Sequence, residues 1–160
     1  MSLSIRTEPL TAAAFALFGD VLEAAGPPDK WINEGRCGRF HDRARLDFGD
    51  GTAGISLFSS ETAQLPHTVR LLERHPLGSQ AFLPMSLDPF LVVVAEDEAG
   101  LPVRPRAFLT TPGQGVNLLR GTWHGVLTPL APPGLFAVID RIGAGTNLEE
   151  YHLPQPITVT

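Results

Sequence analysis

Cysteine and lysine are nearly absent from this chain. Cys37 is the single cysteine, so no intrachain disulfide is available. Only Arg36 and Arg39 stand near enough to lower its pKa, which reads as a packing thiol rather than a nucleophile. Lys30 is the single lysine, and every other cationic side chain is arginine, whose planar fork grips carboxylates. A long apolar run is also missing. The longest, FLVVVA from Phe90 to Ala95, is far too short to span a bilayer, and MSLSIRTEPL at the start has no signal-like apolar core. These absences predict a soluble, cytoplasmic protein without a membrane partner. The formal net charge of -5 argues against a nucleic-acid partner, which would need a basic footprint. There is no Gly-x-Ser-x-Gly elbow and no phosphate loop, and GAGTN (Gly143–Asn147) is too short and too late for a dinucleotide loop.

What is present fits one domain over residues 1–160, and 43% hydrophobic residues suffice for a real core. The only good helix signal is LTAAAFALFGD, with Thr11 as N-cap, Leu10 and Phe15 as a staple and Gly19 as a left-handed stop. This helix is expected to pack on the outside. The remainder reads as short strands between Gly and Pro turns: GRFHDRARLDF, AGISLFS, HTVRLLERH, SQAFLPM, FLVVVAE, RAFLT, GVNLLR, WHGVL and LFAVIDR. The pair Glu149 and Glu150 reads as a solvated tail. Such a pattern predicts a mainly β fold, a sandwich or small barrel with a short N-terminal helix.

Chemistry concentrates in ERHPLGSQAFLPM, Glu73–Met85. Glu73 and His75 share a strand face by parity, and Gln80 follows across the Pro76–Gly78 turn. Polar groups at inward positions cost free energy unless paired, so they are either satisfied structural polars or the floor of a site. The spacing matches the first motif of a cupin-type β-barrel, with Glu-x-His for the usual His-x-His and Gln80 for the usual Glu. RGTWHGV (Arg120–Val126) then supplies His124 as the second motif. Glu73, His75, Gln80 and His124 would converge in the barrel and suit a borderline divalent metal such as nickel, zinc or iron(II). Spacing alone leaves equal room for a metal-free set that hydrogen-bonds itself or a substrate. Arg39, Arg120 and Arg141 lie next to strands with other candidates, which suggests a small anionic substrate. His41 is either a half-exposed strand histidine or a site residue. Asn117 is either a satisfied buried amide or a group for amide recognition.

Together, AFALFGDVLE, INEGRCGRFHDRA, ERHPLGSQAFLPM, GQGVNLLRGTWHGVL and the late IDR resemble the bacterial ureidoglycolate lyase family of allantoin degradation, formerly described as ureidoglycolate hydrolases. The likeness covers nearly the whole chain and departs from the family pattern at Phe40 and at Gly125–Val126. It implies a cupin-like β-barrel, usually a homodimer, that cleaves (S)-ureidoglycolate to glyoxylate and urea, with nickel as the implied cofactor if a metal is used. On that reading His75, His124 and Gln80 carry the catalysis, as ligands of a divalent metal or directly as acid and base. Glu73 and Gln80 complete or orient the set. Arg39 or Arg141 meets the carboxylate, and His41 and Asn117 meet the urea end. The alternatives are a ureidoglycolate amidohydrolase that releases ammonia, and a non-catalytic cupin that binds a small carboxylate.

Overall fold

A computed structural model describes residues 3–160. Its elements run β1 (Leu3–Ile5), β2 (Thr7–Pro9), α1 (Ala12–Phe15), β3 (Gly19–Leu22), β4 (Lys30–Ile32), β5 (Cys37–Arg39), β6 (Thr52–Ser59), β7 (His67–Arg74) and β8 (Gln80–Pro84). The second half adds β9 (Phe90–Glu98), β10 (Leu101–Leu109), β11 (Gly115–Leu118), β12 (Trp123–His124), β13 (Thr128–Pro129), β14 (Leu135–Ile142) and β15 (Glu149–Val159). One sheet runs β1-β15-β7-β12-β9-β10-β2, with β13 also on β9. A second runs β3-β11-β8-β14-β6, and β4 and β5 form a separate ribbon. The two large sheets face each other as a cupin-like β-barrel, the mainly β fold expected. Among the described residues no helix is long and apolar enough to cross a membrane.

Strand alternation builds the interior. Phe90, Val92 and Val94 of β9 meet Phe82 of β8, Val116 and Leu118 of β11, and Phe136 and Val138 of β14 in one cluster. Phe90 and Phe136 cross between the sheets edge to face, 4.9 Å between ring centres. The intervening residues Leu91, Val93 and Ala95 join Leu72, Trp123 and Ile157 on the outer side of the first sheet. β9 is therefore covered on both faces, as its unbroken apolar run suggests. Each such buried side chain contributes about 1.5–3 kcal/mol.

Several expectations need correcting. The helix forms at the predicted cap, with Thr11 Oγ1 accepting the Ala14 amide at 3.2 Å, but it ends after Phe15. Gly19 is not a helix stop. It begins β3, where a Cβ would collide with the Asn117 carbonyl oxygen. The helix packs on the outside, with Ala12 and Ala13 exposed, while Phe15 and the following Phe18 reach into the interior cluster edge-on against Phe108. In GRFHDRARLDF only Gly38 and Arg39, the end of β5, are strand. The remainder crosses the second sheet, held by Arg45 on Asp20 and by the Ser79 amide donating to the Asp47 carbonyl. Finally, the expected acidic tail is the long strand β15, paired with β7 and β1. Cys37 is exposed on the ribbon and is not packing a core.

Candidate active site

β12 is only two residues long, and its register sets the site. Trp123 pairs with Ala95 and joins the outer cluster. Alternation therefore turns His124 inward, alongside Val94 and directly across from Glu73 of β7. β7 ends at Arg74, and His75 follows as the chain turns through Pro76–Gly78. Gly121 donates its amide to the His75 carbonyl at 2.9 Å, which ties this turn to the loop before β12. Ligating atoms of Glu73, His75 and His124 lie within 4.8 Å of one another, and the two imidazole centres are 5.2 Å apart. The predicted meeting of the two motifs is present.

Both rings are held by backbone. His75 Nδ1 lies 2.8 Å from the Asn147 carbonyl, and His124 Nδ1 lies 2.9 Å from the Gly125 carbonyl. A carbonyl only accepts, so each Nδ1 carries the hydrogen and each Nε2 keeps its lone pair. Both Nε2 atoms are buried without a partner. Gln80 points inward from β8 beside Leu118, and its Nε2 donates to Asp140 Oδ2 at 3.1 Å. That leaves Gln80 Oε1 as a third buried acceptor without a partner.

Burial sets the charges. His124 is fully enclosed, and a cavity of ≈ 20 Å³ lined by Phe82, Leu118 and Leu127 borders its ring. Burial, with repulsion from His75, pushes the His124 pKa down to about 4 against the pull of the Gly125 carbonyl. Burial pushes the Glu73 carboxyl up, the neighbouring His75 opposes this, and Glu150 across the β7–β15 ladder adds to the rise.

Asp140 was missed by sequence reasoning. Its signal was parity: it lies two residues after the inward Val138 on β14, directly across from Gln80. Asn147 was missed as well, and only its place after the GAGT turn marked it.

The remaining predicted residues do not join this cluster. Arg39 and His41 are exposed on or just after the ribbon, and the His41 amide is bound to Asp29 at 2.7 Å. Asn117 is buried, but it leaves β11 on the opposite face from Leu118. There its Nδ2 donates to Asp20 and to the Arg45 carbonyl. Arg141 likewise leaves β14 opposite to Asp140, and its Nη2 is bound to Asp50 at 2.6 Å and to the Ala144 carbonyl at 3.0 Å. Arg120 is paired with Asp47 and donates to the Leu77 carbonyl.

A cupin-like barrel that holds two tautomer-locked imidazoles, a carboxyl and an oriented amide is equipped as a small-molecule acid–base enzyme. Comparison with known proteins makes this specific. The family model described as Ureidoglycolate lyase matches residues 2–160, and the chain belongs to that family. A ureidoglycolate lyase of Rhodobacter capsulatus is 65% identical over 153 residues, covering 95% of each chain. One from Chelativorans sp. is 50% identical, covering 97% of this chain and 95% of the relative. Ureidoglycolate lyase 2 of Rhizobium meliloti is also 50% identical, covering 94% of each.

Proposed function

We propose that this protein cleaves the C–N bond of ureidoglycolate, releasing glyoxylate and urea. The observation that carries the reading, beside family membership, is the pair of unpartnered imidazole lone pairs next to a carboxyl of raised pKa. The substrate is a carbinolamide. One proton must leave its hydroxyl, and one must reach the departing urea nitrogen. His75 is the more accessible imidazole, and its Nε2 takes the hydroxyl proton as the C=O bond forms. Glu73 retains a proton more readily than an exposed carboxyl and delivers it to the nitrogen as the C–N bond breaks. Proton return from His75 to Glu73, close neighbours in the cluster, resets the site. Gln80 Oε1 accepts from a ureido N–H. No water attacks a carbonyl, so no oxyanion hole is needed.

The donor set also fits a divalent ion. Glu73, His75, His124 and the Gln80 oxygen all offer lone pairs, and both imidazoles show the backbone-bound Nδ1–H that ligating histidines use. Nickel or a similar borderline ion held there would supply Lewis acidity toward the α-hydroxy acid. A second copy of the chain is proposed to cover exposed Leu57 and Leu83, which flank half-buried Ala137, with exposed Ile55 beside them, giving a homodimer. The chemistry of the family supports a cytoplasmic setting.

The test is a product assay for urea, glyoxylate and ammonia against buffer, since the substrate decomposes unaided. Chelation followed by nickel is included, with His124→Ala as control. Urea and glyoxylate above background are expected, and folded His124→Ala should be inactive. Loss on chelation with rescue by nickel assigns the lone pairs to an ion, whereas unchanged turnover assigns the base directly to imidazole. Ammonia without urea, or a fully active His124→Ala, overturns the reading. Light scattering with Leu57→Asp checks the dimer.

A further inference from the structure

The segment Gly143–Asn147, between β14 and β15, has no role in the reaction as described so far. Gly143 to Thr146 are exposed, yet the loop is fastened at both ends. At its start, Arg141 Nη2 donates to the Ala144 carbonyl and to Asp50. A Cβ at Gly143 would lie 2.9–3.1 Å from that guanidinium, so a glycine lets the chain pass this close. At its end, Asn147 makes two bonds. Its side-chain Oδ1 accepts the Leu77 amide at 2.8 Å, and its backbone carbonyl accepts His75 Nδ1–H at 2.8 Å. One residue therefore grips both the His75 ring and the turn that follows it.

We propose that Asn147 is a positioning residue for His75. Its side chain holds the Pro76–Gly78 turn at the spacing that lets its own carbonyl take the Nδ1 hydrogen. This leaves Nε2 as the lone-pair nitrogen that faces Glu73 and His124. A neutral imidazole without that tie is free to carry its hydrogen on Nε2, which turns the inward atom from acceptor into donor. Such an atom neither takes the substrate's proton nor ligates an ion. Arg141, one of the two arginines that the family likeness offers for the substrate carboxylate, serves here as the anchor at the other end of the same loop.

The proposal rests on the lyase reading only for its kinetic arm, so the first arm needs no turnover. Nitrogen-15-labelled protein is compared by two-bond proton–nitrogen spectra at mildly alkaline pH, chelator-treated and with zinc, a diamagnetic divalent ion. His75→Gln assigns the ring signals. Wild type is expected to show His75 protonated at Nδ1 in both samples. Chelator-treated Asn147→Ala should show a mixture of tautomers, and Asn147→Asp, which keeps an acceptor for the Leu77 amide, should restore the wild-type pattern. In turnover, Asn147→Ala should lose about 10- to 100-fold in kcat with KM within about twofold, and Asp should recover most of the loss. A hydrogen on His75 Nε2 in the metal-free wild type overturns the proposal without any variant. Equal losses in Ala and Asp, or wild-type tautomer and kcat in Asn147→Ala, overturn it too. If Asn147→Ala does not fold, the wild-type spectrum and Asn147→Asp decide. A protein with the expected spectra but no cleavage of ureidoglycolate refutes the functional reading and leaves this one standing.

Discussion

Acidification should destabilise the metal-free protein through His124, and the size of the effect follows from its surroundings. The ring is enclosed between the two sheets, its Nδ1–H is already used by Gly125, and its Nε2 has no acceptor. A second proton would place a charge in apolar packing beside His75. The folded pKa therefore falls from the ordinary 6.5 to about 4. Because the folded value is depressed, the unfolded chain binds more protons between those limits. The stabilising contribution is complete above about pH 6.5 and is lost as pH falls through about 4. At about 1.4 kcal/mol per pH unit, the loss amounts to about 3 kcal/mol. The assay is urea unfolding of chelator-treated wild type and His124→Gln across this window. Other titrating groups are common to both proteins, so the difference between the two curves isolates His124. Wild type should lose about 3 kcal/mol more than the variant between the two pH limits. Parallel curves would refute the claim that burial holds His124 neutral.

Further outcomes follow from single contacts. Asp140→Ala frees the Gln80 amide to rotate, so kcat/KM should fall by about tenfold with little change in melting temperature, while Asp140→Asn retains an acceptor and most of the activity. Gly19→Ala drives a methyl into the Asn117 carbonyl of the adjacent strand, and denaturant unfolding should show a loss of about 3 kcal/mol or more. Thr11→Ala removes the helix cap, and the same assay should show a loss of about 1 kcal/mol.

Sequence pattern carried the barrel and half of the site. β9 was legible because a short apolar run between turns has one economical use, a strand covered on both faces. Glu73, His75 and His124 were legible because alternation puts residues two apart on one face, and β12 is too short to shift that parity. Arg39 does lie on a paired strand, but the alternation continues past it through His41, Arg43 and Arg45 where the chain forms no strand, so parity there says nothing about which way a side chain faces. Asn117 was assigned to the correct strand but not to a face. The choice depends on Arg45 and its neighbours crossing over the sheet, a contact distant in sequence. β15 was hidden by its acidic start and by Pro154 and Pro156, which weaken any strand signal. The structure accommodates them where the β7 register shifts between His152 and Ile157.

The charge balance at the cluster bears on how an anionic substrate is held there. The Gln80 oxygen, two Nε2 lone pairs and an ionised Glu73 are all acceptors, and Asp140 holds the Gln80 amide. Acceptors alone repel a carboxylate. Arginines that serve other parts of the fold are already committed: Arg74 to Asp97 and Glu149, Arg120 to Asp47, Arg141 to Asp50. Two ways remain to make the site attractive to ureidoglycolate. One is a proton on the cluster, which the depressed pKa of His124 keeps off that ring and the raised pKa of Glu73 favours on the carboxyl. The other is a bound divalent cation, which the same lone pairs favour and which would reverse the sign of the local field. A carboxylate can therefore sit beside the inward set only with a proton on Glu73 or a cation on the four lone pairs, and the chelation and nickel arms of the product assay separate these two cases.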